Sequence, residues 1–306
     1  MSESVVAVWP ELKLPHGLKE DTRIAPHILV RSSVFSTLEY AGAAQRPMIC
    51  ETEPLRLGAM SQYRVEQLEG PRLSQSDADV MFWLLSRAYR YGAPKDKAMV
   101  FFKRSEALIA LGRSRGGKTD ALLDDSLQRL CSAEFYFGER DKVTNEMMPL
   151  VRTRLLSRAE RVSGDTRPYD YRVTIAEGMA PLLENGSWVA LSGRVREELA
   201  SDPLARGLHA HFASNEKVHA TLPKTLKGQM GRAGETGQTK EMDQVEDLDK
   251  SGMQSSKWLH ALRRALARVQ AATGWSQCEL VTAGQLAGKV LVRKGTALRG
   301  PKSKMP

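Results

Sequence analysis

The sequence has little that would support a secreted, membrane-embedded or disulfide-bonded protein. Its three cysteines, Cys50, Cys131 and Cys278, are an odd number and form no CxxC pair, which argues against a disulfide framework, a zinc knuckle or a redox centre. The first residues have no basic segment followed by a long apolar stretch, so we expect no secretory signal. No apolar run approaches the roughly 20 residues that a membrane span needs. These absences predict a cytoplasmic protein that does not enter the membrane.

Signatures of catalysis are also scarce. The sequence offers no recognisable Ser/His/Asp set, no glycine-rich dinucleotide fingerprint and no pair of carboxylates at a telling spacing. We therefore expect a protein that is not an enzyme and needs neither a cofactor nor a metal.

Positive charge is concentrated at one end of the chain. Residues 251–306 hold ten Lys or Arg and one acidic residue, a net charge of +9, which equals the net charge of all 306 residues. The rest of the chain is therefore balanced. A local cluster of cations repels itself until an anionic partner neutralises it, so nucleic acid is the first candidate partner.

Length and composition predict two globular domains. At 306 residues, 42% hydrophobic and 26% charged, the chain can form two cores of common size. The predicted divisions are an N-terminal arm (1–26), a first domain (27–190), a second domain (191–300) with a mobile polar loop (231–254), and a basic tail (301–306).

The first domain has the element order of a winged helix. The residues HILV (27–30) look β-like. A helix capped at Ser74 or Ser76 is followed by a short strand, AMVFF (98–102). Two helices around a Gly-containing turn come next, one capped by Ser105 and one starting at Thr119. The predicted strands after them are 134–139, 149–162 and 169–176.

The second domain repeats this order with different residues. The patterns predict a strand at 187–191, one or two helices over 192–213, a strand at 218–222 and a helix at 223–230 that opens with Pro223. After the polar loop, a helix beginning at 255 and a basic hairpin close the chain. Both domains together give an α+β fold of two tandem winged-helix domains.

The helix after the polar loop has one apolar and one cationic face. Its apolar residues are spaced three, four and three apart, and its cations form a row on roughly the opposite side. A helix of this kind fits the major groove, although a solvated basic face is the simpler alternative. The apolar row is Leu259, Leu262, Leu266 and Val269, and the cationic row is Lys257, His260, Arg264 and Arg268. Trp258 and Arg263 flank them and suit phosphate contacts or packing, while Lys289, Arg293 and Lys294 follow in the wing.

Residues Gly112 to Thr119 satisfy the Walker A expression GxxxxGK[ST]. A phosphate-binding loop needs a buried strand before it and a helix after it, and only the helix is convincing here. The better interpretation is a helix-turn-helix turn whose Arg113, Arg115 and Lys118 touch DNA phosphates. A P-loop NTPase stays as an alternative.

Leu208 to Phe212 alternates apolar residues with two histidines, as in nucleases that nick DNA. If this segment is a helix, His209 and His211 diverge by about 200° and do not share a metal. The seven tyrosines, among which a nucleophile would be sought, all precede His209. A DNA-nicking Rep enzyme is therefore a weaker alternative.

The run from Ser76 to Phe137, with DADVMFWLLSRAYR, MVFF, EALIALG and ALLDDSLQRLCSAEFYF, resembles the first winged-helix domain of plasmid replication initiators of the TrfA and RepC type. LLSRAERV and YRVTIAEGMAPLLENGSWVALS are similar to its continuation into a second domain. This resemblance implies binding of directly repeated origin sites (iterons) in double-stranded DNA, local melting and recruitment of the host initiator and replicative helicase. It also implies that Lys257–Arg268 and Lys289–Lys294 are the recognition helix and the wing.

From these observations we expect a DNA-binding plasmid replication initiator, with the second domain dominating sequence reading. The first domain would add phosphate contacts and a share in self-association, giving a homodimer in equilibrium with monomer. Asp120, Asp124 and Asp125 on its recognition-position helix oppose deep groove entry, because carboxylates repel phosphates. A winged-helix transcriptional repressor is the rival; it would bind one palindrome as a stable dimer.

Overall fold

The structure is a computed structural model that describes residues 8–13, 19–40, 42–95, 97–114, 116–162, 168–233 and 248–296. Several sequence expectations fall outside this part: most of the loop 231–254, the basic tail 301–306, Arg115 and the side chain of Lys118.

The described chain folds into short strands and helices that alternate along its length. In chain order these are β1 (Thr22–Pro26), α1 (His27–Val30), β2 (Phe35–Ser36), β3 (Met48–Ile49), β4 (Leu55–Leu57), β5 (Tyr63–Pro71), β6 (Leu73–Ser74), α2 (Gln75–Ala88), β7 (Met99–Phe102), α3 (Arg104–Ala110), α4 (Gly117–Ser132), β8 (Glu134–Arg140), β9 (Met147–Arg154), β10 (Leu156–Arg161), β11 (Tyr171–Ile175), β12 (Trp188–Ser192), α5 (Gly193–Glu198), α6 (Pro203–Ala213), α7 (Pro223–Gln229), α8 (Leu248–Thr273), β13 (Trp275–Leu280) and β14 (Val290–Thr296).

The first winged helix consists of α2, β7, α3, α4 and the hairpin of β10 and β11. These strands form one antiparallel sheet in the order β10, β11, β7. The capping expectation for α2 is confirmed, because the Ser74 backbone N–H donates to the Asp77 carboxylate at 2.8 Å. The single long strand expected at 149–162 is two strands, which separate at Leu155 and belong to different sheets.

A second sheet is added to this domain. Strands β3, β5, β8 and β9 lie side by side, and β4 also pairs with β5. Phe135 and Phe137 of β8 are fully buried and stack on each other, so this sheet packs into the same core as the winged helix.

The second winged helix consists of α6, α7, α8 and the hairpin of β13 and β14. The strand expected at 218–222 is reduced to one bridge, in which Thr221 pairs with Val290 of β14. α8 begins at Leu248, so the last residues of the expected loop are helical. The element order confirms the predicted fold of two tandem winged-helix domains, each with its own hydrophobic core.

The described residues of the N-terminal segment, 8–13 and 19–26, include parts of the fold, and this corrects the expectation of an arm over 1–26. Thr22–Pro26 forms β1, which pairs antiparallel with β12, and Ile24 and Ala25 are fully buried. Trp9 is also buried and packs edge-on against Tyr89. His27–Val30 is a helical turn rather than a strand, and its residues 28–30 all pack into the core.

Buried charges join the two domains. Asp79 of α2 accepts hydrogen bonds from Arg196 of α5 and Arg206 of α6, whose side chains are only 3% and 7% exposed. Burial by itself raises the pKa of the Asp79 carboxyl, but the two guanidinium groups outweigh burial and hold that pKa below its usual value. The two domains therefore meet at a desolvated ion cluster.

Within the described residues, none of the helices is long and apolar enough to span a membrane. The three cysteines are free thiols at separate places in the fold.

Candidate nucleic-acid interface

α8 separates apolar from cationic side chains as its sequence predicts. Leu262, Leu266 and Val269 are buried in the core of the second domain, at 0–1% exposure. Lys257, His260 and Arg263 are exposed on the outer side, and none forms an ion pair with another described residue. The helix therefore presents positive charge that the described residues do not neutralise through ion pairs.

Arg264 and Arg268 lie one turn apart, yet the structure gives them different environments. The side chain of Arg264 is 68% exposed, and its Nε lies 4.0 Å from the Asp202 carboxylate. Arg268 is 35% exposed and donates to Ser201 Oγ at 3.0 Å and to the Glu198 carbonyl at 3.3 Å. Arg264 is available to a ligand, whereas Arg268 fastens α8 to the end of α5.

Trp258 does not belong to the exposed surface, which corrects its assignment as a DNA contact. Its side chain is buried with 7% exposure, and its indole N–H donates to the Pro223 carbonyl at 3.2 Å. The indole thus joins α8 to the first residue of α7, and Trp258 serves the packing of the second domain.

The wing contributes fewer free cations than expected. Arg293 on β14 is exposed and Lys289 is half-buried. Lys294 instead donates to the backbone carbonyls of Ala213 and Asn215 at the end of α6 and lies over the Trp275 ring at 6.0 Å. Burial lowers the Lys294 pKa, and nearby Arg31 lowers it further. Lys294 therefore caps a helix, and its assignment to the DNA surface is corrected.

Sequence reasoning missed two lysines on α7. Lys224 is exposed and Lys227 half-buried, on the helix that precedes α8 in the second winged helix. In known helix-turn-helix complexes the helix before the recognition helix crosses the DNA backbone, so cations at this place are suited to phosphate contacts. In the sequence, these two lysines could have been found from the position of PKTLKGQ before the predicted recognition helix.

Among the described side chains of α3 and α4 in the first domain, there is no row of exposed cations comparable to that on α8. Arg113 is half-buried and donates to the Ser76 carbonyl at 3.3 Å, and burial lowers its pKa. It lines a cleft of about 1450 Å³ between the domains, so it does not project outward as an isolated phosphate contact. On α4, Asp120 pairs with Arg104 at 2.9 Å, while Asp125 is exposed.

The Walker A match lies in a setting that differs from a phosphate-binding loop. The residues before Gly112 form α3, a helix, where such a loop requires a buried strand. The segment is the turn of the first helix-turn-helix, between α3 and α4.

The histidine pair lies on α6, as the helical alternative predicted. His209 and His211 are buried, with 5% and 4% exposure. Burial lowers the pKa of His209 to about 3 and that of His211 to about 4, with help from neighbouring arginines. Their directions on a helix differ by about 200°. In the described parts of the chain, no three His, Cys, Asp or Glu residues are grouped to hold a metal.

Comparison with known proteins adds little. No protein-family description matches the chain, and neither does any curated protein sequence. Among solved structures, the chain is similar to a selenomethionine crystal structure of domains 2 and 3 of RctB, with 12% identity and a TM-score of 0.49 over 89% of this chain and 97% of that one. A second structure of RctB domains 2–3 gives 15% identity and a TM-score of 0.45 over 82% and 91%. With TM-scores below 0.5, neither likeness supports an argument about function.

Proposed function

We propose that the chain binds double-stranded DNA through its second winged-helix domain, with α8 in the major groove and the β13–β14 hairpin beside it. The observation that carries this proposal is the row of exposed cations on α8, backed by a buried apolar row on the same helix. A winged helix places this helix and its wing against one duplex. Lys224 of α7 and Arg293 of the wing extend the positive surface.

A salt titration tests this proposal. Each phosphate that the protein neutralises adds about −0.9 to the slope of log K against log salt concentration. We expect tight binding to a duplex at low salt and a steep negative slope. A slope near zero, or no binding at low salt, contradicts the proposal.

The proposed biological role is plasmid replication initiation. Support comes from the resemblance of residues 76–137 and their continuation to initiators of the TrfA and RepC type. In this role the chain binds iterons, promotes local melting and recruits the host initiator and helicase in the cytoplasm, as monomers in equilibrium with a homodimer. Selection of bound duplexes from a random library separates this role from repression: tandem repeats bound by monomers support initiation, and one palindrome bound by a stable dimer supports repression.

We also propose that the chain acts by binding alone, without catalysis. The helix that replaces the required strand before Gly112 supports this view. We expect no ATP hydrolysis, and no change in nucleotide binding when Lys118 is replaced by Ala. Tight, Mg²⁺-dependent ATP binding that the Lys118→Ala variant loses would revive the NTPase.

A further inference from the structure

The C-terminal end of α7 is fastened to the first domain by one threonine. Thr37 is 1% exposed. Its backbone N–H donates to the Met230 carbonyl at 3.0 Å, and its hydroxyl donates to the same oxygen at 2.9 Å. The neighbouring Ser36 hydroxyl donates to the Gly231 carbonyl at 3.3 Å. Residues 230 and 231 are therefore held by a buried segment more than 190 residues earlier in the chain.

Arg232 completes this attachment from the other side. Its Nε donates to the Thr37 hydroxyl oxygen, and its terminal nitrogen donates to the Thr37 carbonyl, both at 2.8 Å. The backbone N–H, the hydroxyl and the carbonyl of Thr37 are thus all bonded to residues 230–232. The rigid fork of a guanidinium suits this two-point contact better than an ammonium does.

The end of α7 is shaped to fit against the first domain. Gly231 has a φ of +69°, its N–H bonds to the Gly228 carbonyl at 3.0 Å, and the Arg232 N–H bonds to the Lys227 carbonyl at 2.9 Å. This is the Schellman geometry that ends helices at glycine. A Cβ added at Gly58 of the first domain would lie 2.2 Å from the Gly228 carbonyl oxygen, so the two backbones are in direct contact.

The opposite end of α7 contacts the candidate recognition helix. The Pro223 carbonyl accepts the indole N–H of Trp258 on α8 at 3.2 Å. Leu226, in the middle of α7, is fully buried in the same core as Trp258. Seven residues of α-helix span only about 10 Å, so α7 is a short strut between Thr37 and α8.

We propose that Thr37 and Arg232 are positioning residues for DNA binding: by holding the end of α7, they let the first domain set the orientation of α8 and its cationic face. This inference rests on the proposed function of the second domain. Thr37 is too deeply buried to touch a ligand, so any effect of changing its hydroxyl on DNA binding must act through the residues bonded to it, 230–232.

Three variants test the proposal. Thr37→Val keeps the shape but removes the hydroxyl, Arg232→Lys keeps the charge but removes the fork, and Thr37→Ser keeps the hydroxyl. We expect the first two to weaken DNA binding about fivefold to tenfold, the effect of losing one or two buried hydrogen bonds, with an unchanged salt slope because no phosphate contact is lost. Thr37→Ser, which keeps the hydroxyl, should bind DNA like the wild type. Arg194→Lys, at an exposed position, serves as the neutral control.

Hydrogen exchange gives a readout that does not depend on DNA. In Thr37→Val and Arg232→Lys, the amides of residues 226–232 should exchange faster, while those of the first-domain core stay protected. Wild-type DNA affinity in both variants, despite faster exchange, overturns the inference and leaves the proposed function intact. A further variant, Arg232→Ala, tests direct phosphate contact. Unchanged DNA affinity in Arg232→Lys combined with a flatter salt slope in Arg232→Ala assigns Arg232 to phosphate contact and also overturns the inference. No DNA binding by the wild type overturns both proposals.

Discussion

The two winged-helix domains share an order of elements but use their recognition-position helices differently. On α4 of the first domain, Asp120 pairs with Arg104 and Asp124 accepts the hydroxyl of Tyr171. The exposed Leu122, Asp125 and Gln128 line the cleft whose other wall is α5 and α6. On α8 of the second domain, Lys257, His260 and Arg263 are exposed and form no ion pair with another described residue, and Arg264 is 68% exposed with only a 4.0 Å contact to Asp202. The same architecture therefore lines an internal cleft in one domain and supports the proposed DNA-facing role in the other.

The contacts between the two domains bear on this difference. If only the second domain binds DNA, the first domain can contribute by holding the second in a fixed orientation. Buried charges at Asp79, the contacts of Thr37 and the bonds of Arg31 to Ser214 all cross this junction. The four predictions below test the contrast between the domains and the rigidity of their contact.

The largest expected effect comes from removing the carboxylate shared across the junction. Asp79→Ala leaves the buried Arg196 and Arg206 without their carboxylate partner, which we expect to cost about 3–5 kcal/mol in the free energy of unfolding. Denaturant unfolding followed by circular dichroism measures it. The matched control is Glu160→Ala, since Glu160 also pairs with two arginines but on the exposed first wing, where we expect little change. Equal losses of unfolding free energy in the two variants would show that the buried ion cluster at the junction contributes no more to stability than an exposed one.

Replacing Arg264 tests whether α8 reads sequence. Because Arg264 is exposed and aimed away from the core, Arg264→Ala should cost about 1–3 kcal/mol on a selected duplex and much less on a scrambled one. Arg268→Ala should instead lower the stability of the fold and weaken both duplexes alike, since Arg268 is bonded to Ser201. Equal losses on both duplexes in Arg264→Ala would mean that α8 is not the reader.

Acid should weaken the fold through the buried histidines of α6. The folded-state pKa values of His209 and His211, about 3 and about 4, lie below the unfolded value of about 6.5, so the unfolded chain binds more protons in this range. Stability is therefore full above pH 6.5 and falls as the pH decreases toward 4. Each histidine should cost on the order of 1 kcal/mol between pH 7 and pH 5.5.

Urea unfolding at a series of pH values measures this loss. His209→Gln or His211→Gln should reduce the loss of unfolding free energy below pH 6.5. His260→Gln, at an exposed position on α8, is the control and should keep the wild-type profile. A wild-type profile in both α6 variants would place the acid sensitivity elsewhere.

The smallest effect is expected on the first domain. Asp125→Asn removes an exposed carboxylate from α4. If repulsion is what keeps DNA from α4, nonspecific affinity should rise about twofold to fivefold, in line with the roughly 0.5–1 kcal/mol that exposed charges contribute. Binding of random duplex at low salt measures this change. A larger rise would show that α4 faces DNA directly and would weaken the contrast between the domains.

Local patterns in the sequence determined the main elements and one face of the candidate site. The apolar spacing of α8, the Ser74 and Asp77 start of α2, and the turn between α3 and α4 each depend on residues within a few positions of one another. Such short-range rules are readable without a fold. The exposed positions of Lys257, His260 and Arg264 follow from helix periodicity alone, whereas periodicity left Arg263 on a flank that suits either phosphate contacts or packing.

Only the tertiary structure decided which of the remaining cations are free. Arg268 was predicted beside Arg264 on α8 and Lys294 in the wing, but Arg268 bonds to the Glu198 carbonyl and the Ser201 hydroxyl, and Lys294 bonds to the Ala213 carbonyl. The pairing of β1 with β12 and the contact of Thr37 with Met230 join residues far apart in sequence, which no local pattern records. The charge of a side chain follows from the sequence, but whether that side chain is free to bind a ligand depends on the partners that folding places beside it.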